Sequence, residues 1–208
     1  MHPNPSFRTA TREQNIAFAR ERGFGTLAVN GADGPLLSHV PFVVSQDEMT
    51  LEMHLVRSNP IARALATPLD AVISIQGPDS YISPDWYEIN NQVPTWNYIA
   101  VHIRGRLEQL ASEALRPHLD ALSLANETKL LPKVPWTADK MDQEPLERMM
   151  RMIVPCRMTI ETVDGTWKLG QNKPTEPRSS AAAQVTRNTL GHETAKLAAL
   201  MNDVTTEP

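Results

Sequence analysis

The chain has 208 residues and a formal net charge of −4, from 20 Lys and Arg against 24 Asp and Glu. This balance excludes a protein that is held to nucleic acid mainly by bulk positive charge. The single cysteine excludes an intrachain disulfide, and it excludes any metal or iron–sulfur site built only from cysteines of one chain.

A short helix and a β-hairpin are predicted at the start of the chain. Thr11 and Gln14 form a capping box, and Gly23 stands where a helix commonly ends, which places the helix at 12–22. The turn at 30–34 contains two glycines and lies between two apolar stretches, a pattern that is typical of a hairpin.

Two strands flank a second short helix. Apolar and polar residues alternate over 49–56, which predicts a half-buried strand. The Ser-Asn-Pro sequence at 58–60 combines capping residues with a proline suited to the first helical position, so a helix is expected to begin there. The strand predicted at 71–76 is expected to end at Gly77-Pro78.

The second half of the chain mixes both kinds of element. We predict a strand over 99–107 with a bend or bulge at Gly105, and a helix over 112–125 capped by Ser112. A Met-rich helix over 144–152 and a hairpin over 158–169 that turns at Asp164-Gly165 are expected next. One or two tail helices from 179, broken at Gly191, end the chain. Most strands alternate, as antiparallel strands with one wet face do. These patterns predict a mainly β (α+β) fold, an antiparallel barrel with helices packed outside.

The first candidate site lies where the strand at 49–56 meets the helix at 58–60. Arg57 offers a bidentate fork for a phosphate, Ser58 adds a hydroxyl, and a helix amino terminus favours anions. The residues therefore indicate an anion site. The alternative left open is a well-capped helix beside a solvated arginine.

The second candidate site is a cluster of aromatic residues. Five of them fall within 81–98, next to prolines that stiffen the backbone: Tyr81, Trp86, Tyr87, Trp96 and Tyr98. A heteroaromatic ring can stack there while Gln76, Thr95 and Asn97 bind its polar edge. The alternatives are a loop packed on the barrel or a subunit interface.

The third candidate site is the polar segment that follows the last predicted strand. Lys168, Gln171, Asn172 and Lys173 suit a sugar-alcohol chain or a phosphate, although an exposed turn has the same composition. The chain contains none of the G-x-S-x-G, G-x-G-x-x-G or P-loop motifs. No metal site is predicted, because the histidines lack ligand spacing.

Three blocks of this sequence resemble the PaiB-type FMN-binding proteins, a family often labelled negative transcriptional regulators. They are Gln76-Gly-Pro-x-x-Tyr81-Ile-Ser83-Pro-x-Trp86-Tyr87 with Val93-Pro-Thr95-Trp96-Asn97-Tyr98, then His54-x-x-Arg57-x-Asn59-Pro60, and Lys168-Leu-x-Gln171-Asn172-Lys173. The resemblance spans roughly residues 1–190. It implies an antiparallel six-stranded split β-barrel of the FMN-binding type, dimeric, with FMN at the subunit interface. Gly170 stands where the family usually has Ser.

The resemblance also implies roles for individual residues. Arg57 and Ser58 are expected at the FMN phosphate, with Trp96, Asn97 and Gln76 near the isoalloxazine and Lys168 and Gln171 near the ribityl–phosphate end; His54 and Asn59 complete the expected cofactor-binding set. Residues 1–178 are expected to form the split-barrel domain, and 179–208 a helical tail packed on it. No catalytic residue is assigned.

The function that follows is FMN binding at a homodimer interface. If the protein is an enzyme, it is expected to be an oxidoreductase, with reduced nicotinamide as a candidate electron donor. The alternative is a transcriptional regulator whose tail helices read DNA, with Arg178, Arg187 and Lys196 facing phosphate. With no signal peptide visible and no apolar run near the ~20 residues of a membrane helix, we expect a cytoplasmic protein that does not contact membranes.

Overall fold

A computed structural model describes residues 1–188 and 190–204. The chain divides into two compact units. The first unit contains Met1–Asn15, Gln76–His102 and Asp164–Pro208, and the second contains Ile16–Ile75 and Ile103–Val163. Three strands continue from one unit into the other, so the units are not consecutive segments of the chain.

The part of the chain that the structure describes contains seven strands, which form one sheet. They are β1 (Phe24–Gly31), β2 (Gly34–Val44), β3 (Thr50–Val56), β4 (Leu69–Ile82), β5 (Thr95–Gln109), β6 (Ile153–Lys168) and β7 (Gly191–His192). The strand order is β1-β2-β3-β6-β5-β4-β7, and β1 also pairs with β4. Hydrogen bonding therefore closes the six long strands into a ring, to which the two-residue β7 adds an edge.

Within the described residues, six α-helices accompany the sheet: α1 (Arg12–Arg22), α2 (Pro60–Ala64), α3 (Leu115–Glu127), α4 (Gln143–Met150), α5 (Thr175–Arg187) and α6 (Thr194–Asp203). The predicted helix at 12–22 is confirmed. The tail contains two helices, as predicted, and the short strand β7 separates them.

The core of the second unit shows why the strands alternate. On β3, Leu51, Met53 and Leu55 are buried, while Glu52 and His54 between them are half-buried on the opposite face. The pairings of β3 with β2 and with β6 are both antiparallel. The predicted antiparallel α+β architecture is confirmed.

The predicted hairpin over 158–169 is wrong. Residues Ile153–Lys168 form one uninterrupted strand, and Asp164-Gly165 lies inside it rather than at a turn. A Cβ atom added to Gly165 would lie 2.0 Å from Oδ1 of Asn15. The glycine therefore allows a close approach between strand and side chain, and an isolated Asp-Gly pair does not distinguish that role from a turn.

Two further boundaries differ from the sequence expectations. β4 continues through Gly77-Pro78 to Ile82, because a proline in a strand loses only its N–H group and keeps an extended backbone. Ser112 does not cap the third helix: it begins a short 3-10 turn, and α3 itself begins at Leu115 with Ala114 as its N-cap.

The tail helices pack on each other through a buried arginine. Arg178 on α5 is 0% exposed, and its guanidinium donates to the backbone oxygens of Met201, Lys173 and Val204 at 2.8, 3.2 and 2.7 Å. The expectation that Arg178 faces a DNA phosphate is therefore wrong, since its donors are used to hold the carboxyl end of α6.

Candidate functional site

Arg57 is the first of the predicted site residues that lie in the second unit. Its Nε donates to the Arg151 carbonyl oxygen at 3.1 Å and one terminal nitrogen donates to the Ile153 carbonyl oxygen at 3.4 Å. The backbone N–H of Arg57 also donates to the Met152 carbonyl oxygen, at 2.8 Å. The fork that was expected to bind phosphate is thus partly used to hold the segment before β6.

Ser58 and Asn59 follow Arg57 and have different surroundings. Asn59 is the N-cap of α2: its Oδ1 accepts from the N–H of Ile61 at 2.9 Å and its Nδ2 donates to Oγ of Ser38 at 3.1 Å. Ser58 is exposed. Because α2 is only 5 residues long, it makes a weak dipole for an anion. Asn59 therefore acts as a structural cap.

A cavity of about 530 Å³ lies next to Arg57 within the second unit. Its charged lining residues are Arg57, Arg151 and Glu147, and its apolar ones include Leu110, Leu115 and Val154. The cavity can take a mainly apolar molecule. His54, also in this unit, makes its ring contact with His118, whose Nε2 lies 3.1 Å from Nδ1 of His54.

Two lysines form a cationic pair in the first unit. Nζ of Lys168 donates to Oγ1 of Thr95 and lies 5.8 Å from the centre of the Phe7 ring. Nζ of Lys173 donates to Oε1 of Gln92 and lies 5.4 Å from the centre of the Tyr87 ring. Both ammonium groups are therefore held by neutral acceptors and aromatic faces.

The charges of this lysine pair are not neutralised within residues 1–188 and 190–204, where neither forms an ion pair with a carboxylate. Partial burial, and secondly the positive charge of Lys173, lower the pKa of Lys168. Two neighbouring cations without a counter-charge in a protein of net charge −4 are suited to bind an anion.

In three other predicted residues of the first unit, the side-chain amide contacts other protein atoms. Gln171 accepts from the N–H of Leu169 at 2.8 Å and donates to the Trp167 carbonyl oxygen at 2.6 Å. Asn97 is buried, with Nδ2 3.6 Å from Sδ of Met201. Nε2 of Gln76 donates to Oδ2 of Asp79 at 2.8 Å. These contacts shape the turn after β6 and the strands beside it.

Trp96 presents an aromatic surface. Its side chain is 46% exposed, and its ring meets Tyr81 edge to face with the ring centres 6.3 Å apart. Tyr81 makes a similar contact with Trp86 at 6.4 Å. A planar ring can stack on such a rigid, partly exposed aromatic group.

Three features of these surroundings were not in the predicted set. Lys173 belongs to the third candidate segment but was given no role of its own in FMN binding, although its spacing from Lys168 was a usable signal. His118 lies in a helix and has no sequence signal. The same holds for the contact between Nδ1 of His192 and the carboxylate of Asp79, at 3.2 Å from each oxygen.

Two features of the first unit suit a ligand that carries both a phosphate and a flat ring. The lysine pair suits a phosphate, and Trp96 suits a flat ring. Across the described residues, no three His, Cys, Asp or Glu side chains converge as metal ligands. Across the same residues, no helix combines the length and apolar character needed to cross a membrane.

Comparison with known proteins identifies the family. Residues 1–162 match the family described as "Putative FMN-binding domain". The Bacillus subtilis "Protease synthase and sporulation protein PAI 2" is 30% identical over 199 residues, which cover 95% of this chain and 94% of that protein. An uncharacterized protein of Emericella nidulans is 26% identical over 188 residues, covering 72% and 75%.

Solved structures share the fold at low sequence identity. The FAD and heme binding protein from Mycobacterium smegmatis has a TM-score of 0.57 at 18% identity, covering 79% of this chain and 74% of its own. The flavocytochrome Anf3 from Azotobacter vinelandii has a TM-score of 0.52 at 14% identity, covering 80% and 72%. The predicted split-barrel type of fold is confirmed. Together with the family match, this places the chain among the PaiB-type FMN-binding proteins, with FMN as its cofactor.

Proposed function

We propose that this chain binds FMN at two equivalent sites of a homodimer and uses it as a redox cofactor. The observation that carries the proposal is the pair of lysines, Lys168 and Lys173, which has no carboxylate partner in the described part of the chain. A bound flavin supplies one- and two-electron chemistry. The chain's own part is to bind the phosphate, orient the ring and limit access of water.

We assign the FMN phosphate to the lysine pair rather than to Arg57 and Ser58. Arg57 donates to two backbone carbonyl oxygens, and α2 has only 5 residues. The lysines, in contrast, have only neutral acceptors. A phosphate oxygen carries negative charge and these acceptors do not, so a lysine ammonium is attracted more strongly to the phosphate, and the exchange is favourable.

We assign the ring to the exposed face of Trp96. Asn97 and Gln76 are assigned structural roles, since their side-chain amides contact the side chains of Met201 and Asp79. Gln171 has the same role in the turn that carries the lysines. His54 remains a proposed cofactor contact from the family resemblance. Arg57, Ser58 and Asn59, which the resemblance also implies, are assigned no cofactor contact in this proposal.

Comparing FMN with riboflavin tests the phosphate assignment. Riboflavin lacks the phosphate, so the ratio of the two dissociation constants measures that group alone. Lys173→Gln is expected to lower the preference for FMN roughly 10- to 100-fold, which corresponds to one lost charge-assisted hydrogen bond. Binding is followed by the visible absorption and the fluorescence of the flavin.

Arg57→Gln is the matched control and is expected to leave the FMN preference unchanged. A loss of that preference in Arg57→Gln with none in Lys173→Gln would move the phosphate to Arg57. The proposal is contradicted if the purified protein is colourless and added FMN shows no binding by absorption or fluorescence.

The dimer and the redox activity have separate measurements. Val93 and Trp96 are exposed at 73% and 46%, which favours a surface covered by a second copy. Light scattering is expected to give twice the 23.2 kDa chain mass.

Anaerobic NADH or NADPH is expected to bleach the visible flavin band; persistence of that band with both would remove nicotinamide as the donor.

The transcriptional-regulator alternative has less support. Its tail helices were expected to present three cations to DNA, but Arg178 is buried. Arg187 and Lys196 alone supply few phosphate contacts on an acidic chain.

A further inference from the structure

Two histidines of the second unit share a hydrogen bond. Nδ1 of His54, on β3, lies 3.1 Å from Nε2 of His118, on α3. The rings meet edge to face, with centres 5.4 Å apart. One of the two nitrogens must carry the proton of this bond, so the contact restricts the tautomers that the two rings can adopt.

The other ring nitrogen of His118 is buried beside a carboxylate. His118 is 2% exposed, and its Nδ1 has no hydrogen-bond partner. The nearest charged group is Oε2 of Glu52, at 3.9 Å. Nε and Nη2 of Arg157 donate to the other carboxylate oxygen, Oε1, at 3.1 and 2.7 Å. Arg157 thereby orients Glu52 and leaves Oε2 on the side of His118.

Both histidines are neutral at pH 7. Burial lowers the pKa of His54. Burial, and secondly the proximity of His54, lower the pKa of His118 to about 4, although Glu52 acts in the opposite direction. A neutral imidazole has one N–H donor and one bare nitrogen. Each ring therefore has one proton to place.

The carboxylate decides between the two arrangements. If Nε2 of His118 carried the proton, the lone pair of its Nδ1 would lie buried against the negative charge of Glu52, which is unfavourable. If Nδ1 carries the proton, its N–H dipole is attracted to that charge, and Nε2 accepts from Nδ1–H of His54. A carboxylate behind one nitrogen commonly fixes a histidine tautomer in this way.

We propose that His118 is a positioning residue that holds the proton of His54 on Nδ1, so that Nε2 of His54 is a bare acceptor. This arrangement suits a ligand with an N–H or O–H donor, and the assignment of that ligand as the flavin nucleotide rests on the proposed function. A metal bridging the two rings fits less well, because the described residues supply no third ligand.

The test is a long-range ¹H–¹⁵N NMR spectrum of histidine-labelled protein without flavin at pH 7. The ¹⁵N shifts separate protonated from bare ring nitrogens, and His54→Gln assigns the His54 signals. We expect His54 to carry its proton on Nδ1 with Nε2 bare. A proton on Nε2 of His54 in the wild-type protein would overturn the inference, and this requires no variant at position 118.

Variants at position 118 test the cause. His118→Gln keeps an acceptor for Nδ1–H of His54 and is expected to preserve the tautomer. His118→Leu removes the acceptor and is expected to shift His54 toward the Nε2–H form. The matched control, His192→Gln, changes an exposed histidine of the first unit and should leave His54 unaffected.

Two outcomes of this series contradict the inference. One is an unchanged His54 tautomer in a folded His118→Leu protein. The other is loss of the tautomer in His118→Gln as well. Because the spectra are recorded without flavin, they are independent of FMN binding, and failure of the FMN titration would leave the histidine assignment intact.

Discussion

Arg178 places a positive charge in the interior of the first unit and forms no ion pair with a carboxylate of residues 1–188 and 190–204. Its three donors bind backbone oxygens at the carboxyl end of α6 and at Lys173, where unpaired carbonyl groups carry partial negative charge. The residue therefore joins α5, α6 and the segment that bears one member of the lysine pair. Its position is structural, and it prearranges the proposed phosphate group only through the backbone of Lys173.

Replacing Arg178 tests this role. Arg178→Met is expected to lower the free energy of unfolding by on the order of 3–5 kcal/mol, because one buried and two part-buried carbonyl groups lose a charged donor. Urea denaturation measures the change. Arg187→Met, at an exposed arginine of the same helix, is the control and should cost less than about 0.5 kcal/mol. Equal effects of the two substitutions would contradict the structural role.

The residue types of the candidate site were predictable, but most of their partners were not. Lys168 and Trp96 stand out in the sequence as a cation and an aromatic group in specific motifs. Asn97 and Gln76 looked equally suitable as ligands, yet they bind Met201 and Asp79. Motifs contain the residues that a family uses for binding and for folding alike, and only the packing separates the two.

At the scale of elements, glycine was the residue most easily misread. Gly165 was expected at a turn and lies within a continuous strand. Gly105 was expected inside a strand, at a bend or bulge, and it lies within β5. At Gly105 an added Cβ would lie 1.8 Å from the Thr159 carbonyl oxygen. A glycine at a close backbone approach and a glycine in a turn have the same local sequence, so the long-range neighbour decides the outcome.

The close approach at Gly105 predicts a strong response to one methyl group. Gly105→Ala is expected to lower the free energy of unfolding by about 2 kcal/mol or more, because the new Cβ meets backbone rather than a movable side chain. The control is Arg106→Ala on the same strand: its 2.6 Å ion pair with Asp70 is exposed, at 47% and 80%, and should contribute less than about 1 kcal/mol. If both variants unfold at the same urea concentration, β5 and β6 do not approach each other as described.

At the scale of the whole molecule, alternation predicted an antiparallel barrel, but it did not predict which strands close the ring. The alternating apolar residues of β3 and β5 identified half-buried strands directly from the sequence. The pairing of β1 with β4, for example Thr26 with Ser74, joins residues far apart in the chain and leaves no local pattern. The family resemblance, rather than periodicity, supplied the six-stranded ring.

The histidine pair gives the stability of the protein a defined pH dependence. The pKa of His118 is lowered from 6.5 to about 4 in the folded chain. Between these values the unfolded chain binds more protons, so stability is complete above pH 6.5 and is lost as the pH falls toward 4. We expect this residue to account for a loss on the order of 3 kcal/mol.

Urea denaturation at pH 7 and pH 4 measures this loss in the wild-type protein and in His118→Gln. The variant lacks the titrating group, so its stability should fall less than that of the wild type over the same interval. Glu52, Arg157 and His54 face His118 and remain in both proteins. Parallel curves for the two proteins would show that His118 does not titrate as described.

The contacts of Arg178 involve no histidine and no carboxylate. Their three acceptors are backbone carbonyl oxygens, which gain no proton in mild acid. We therefore expect these hydrogen bonds to α6 to be the same at pH 4 as at pH 7, while the imidazoles of His54 and His118 acquire charge. Mild acidification should destabilise the packing of α3, which carries His118, and leave the packing of α5 and α6 unchanged.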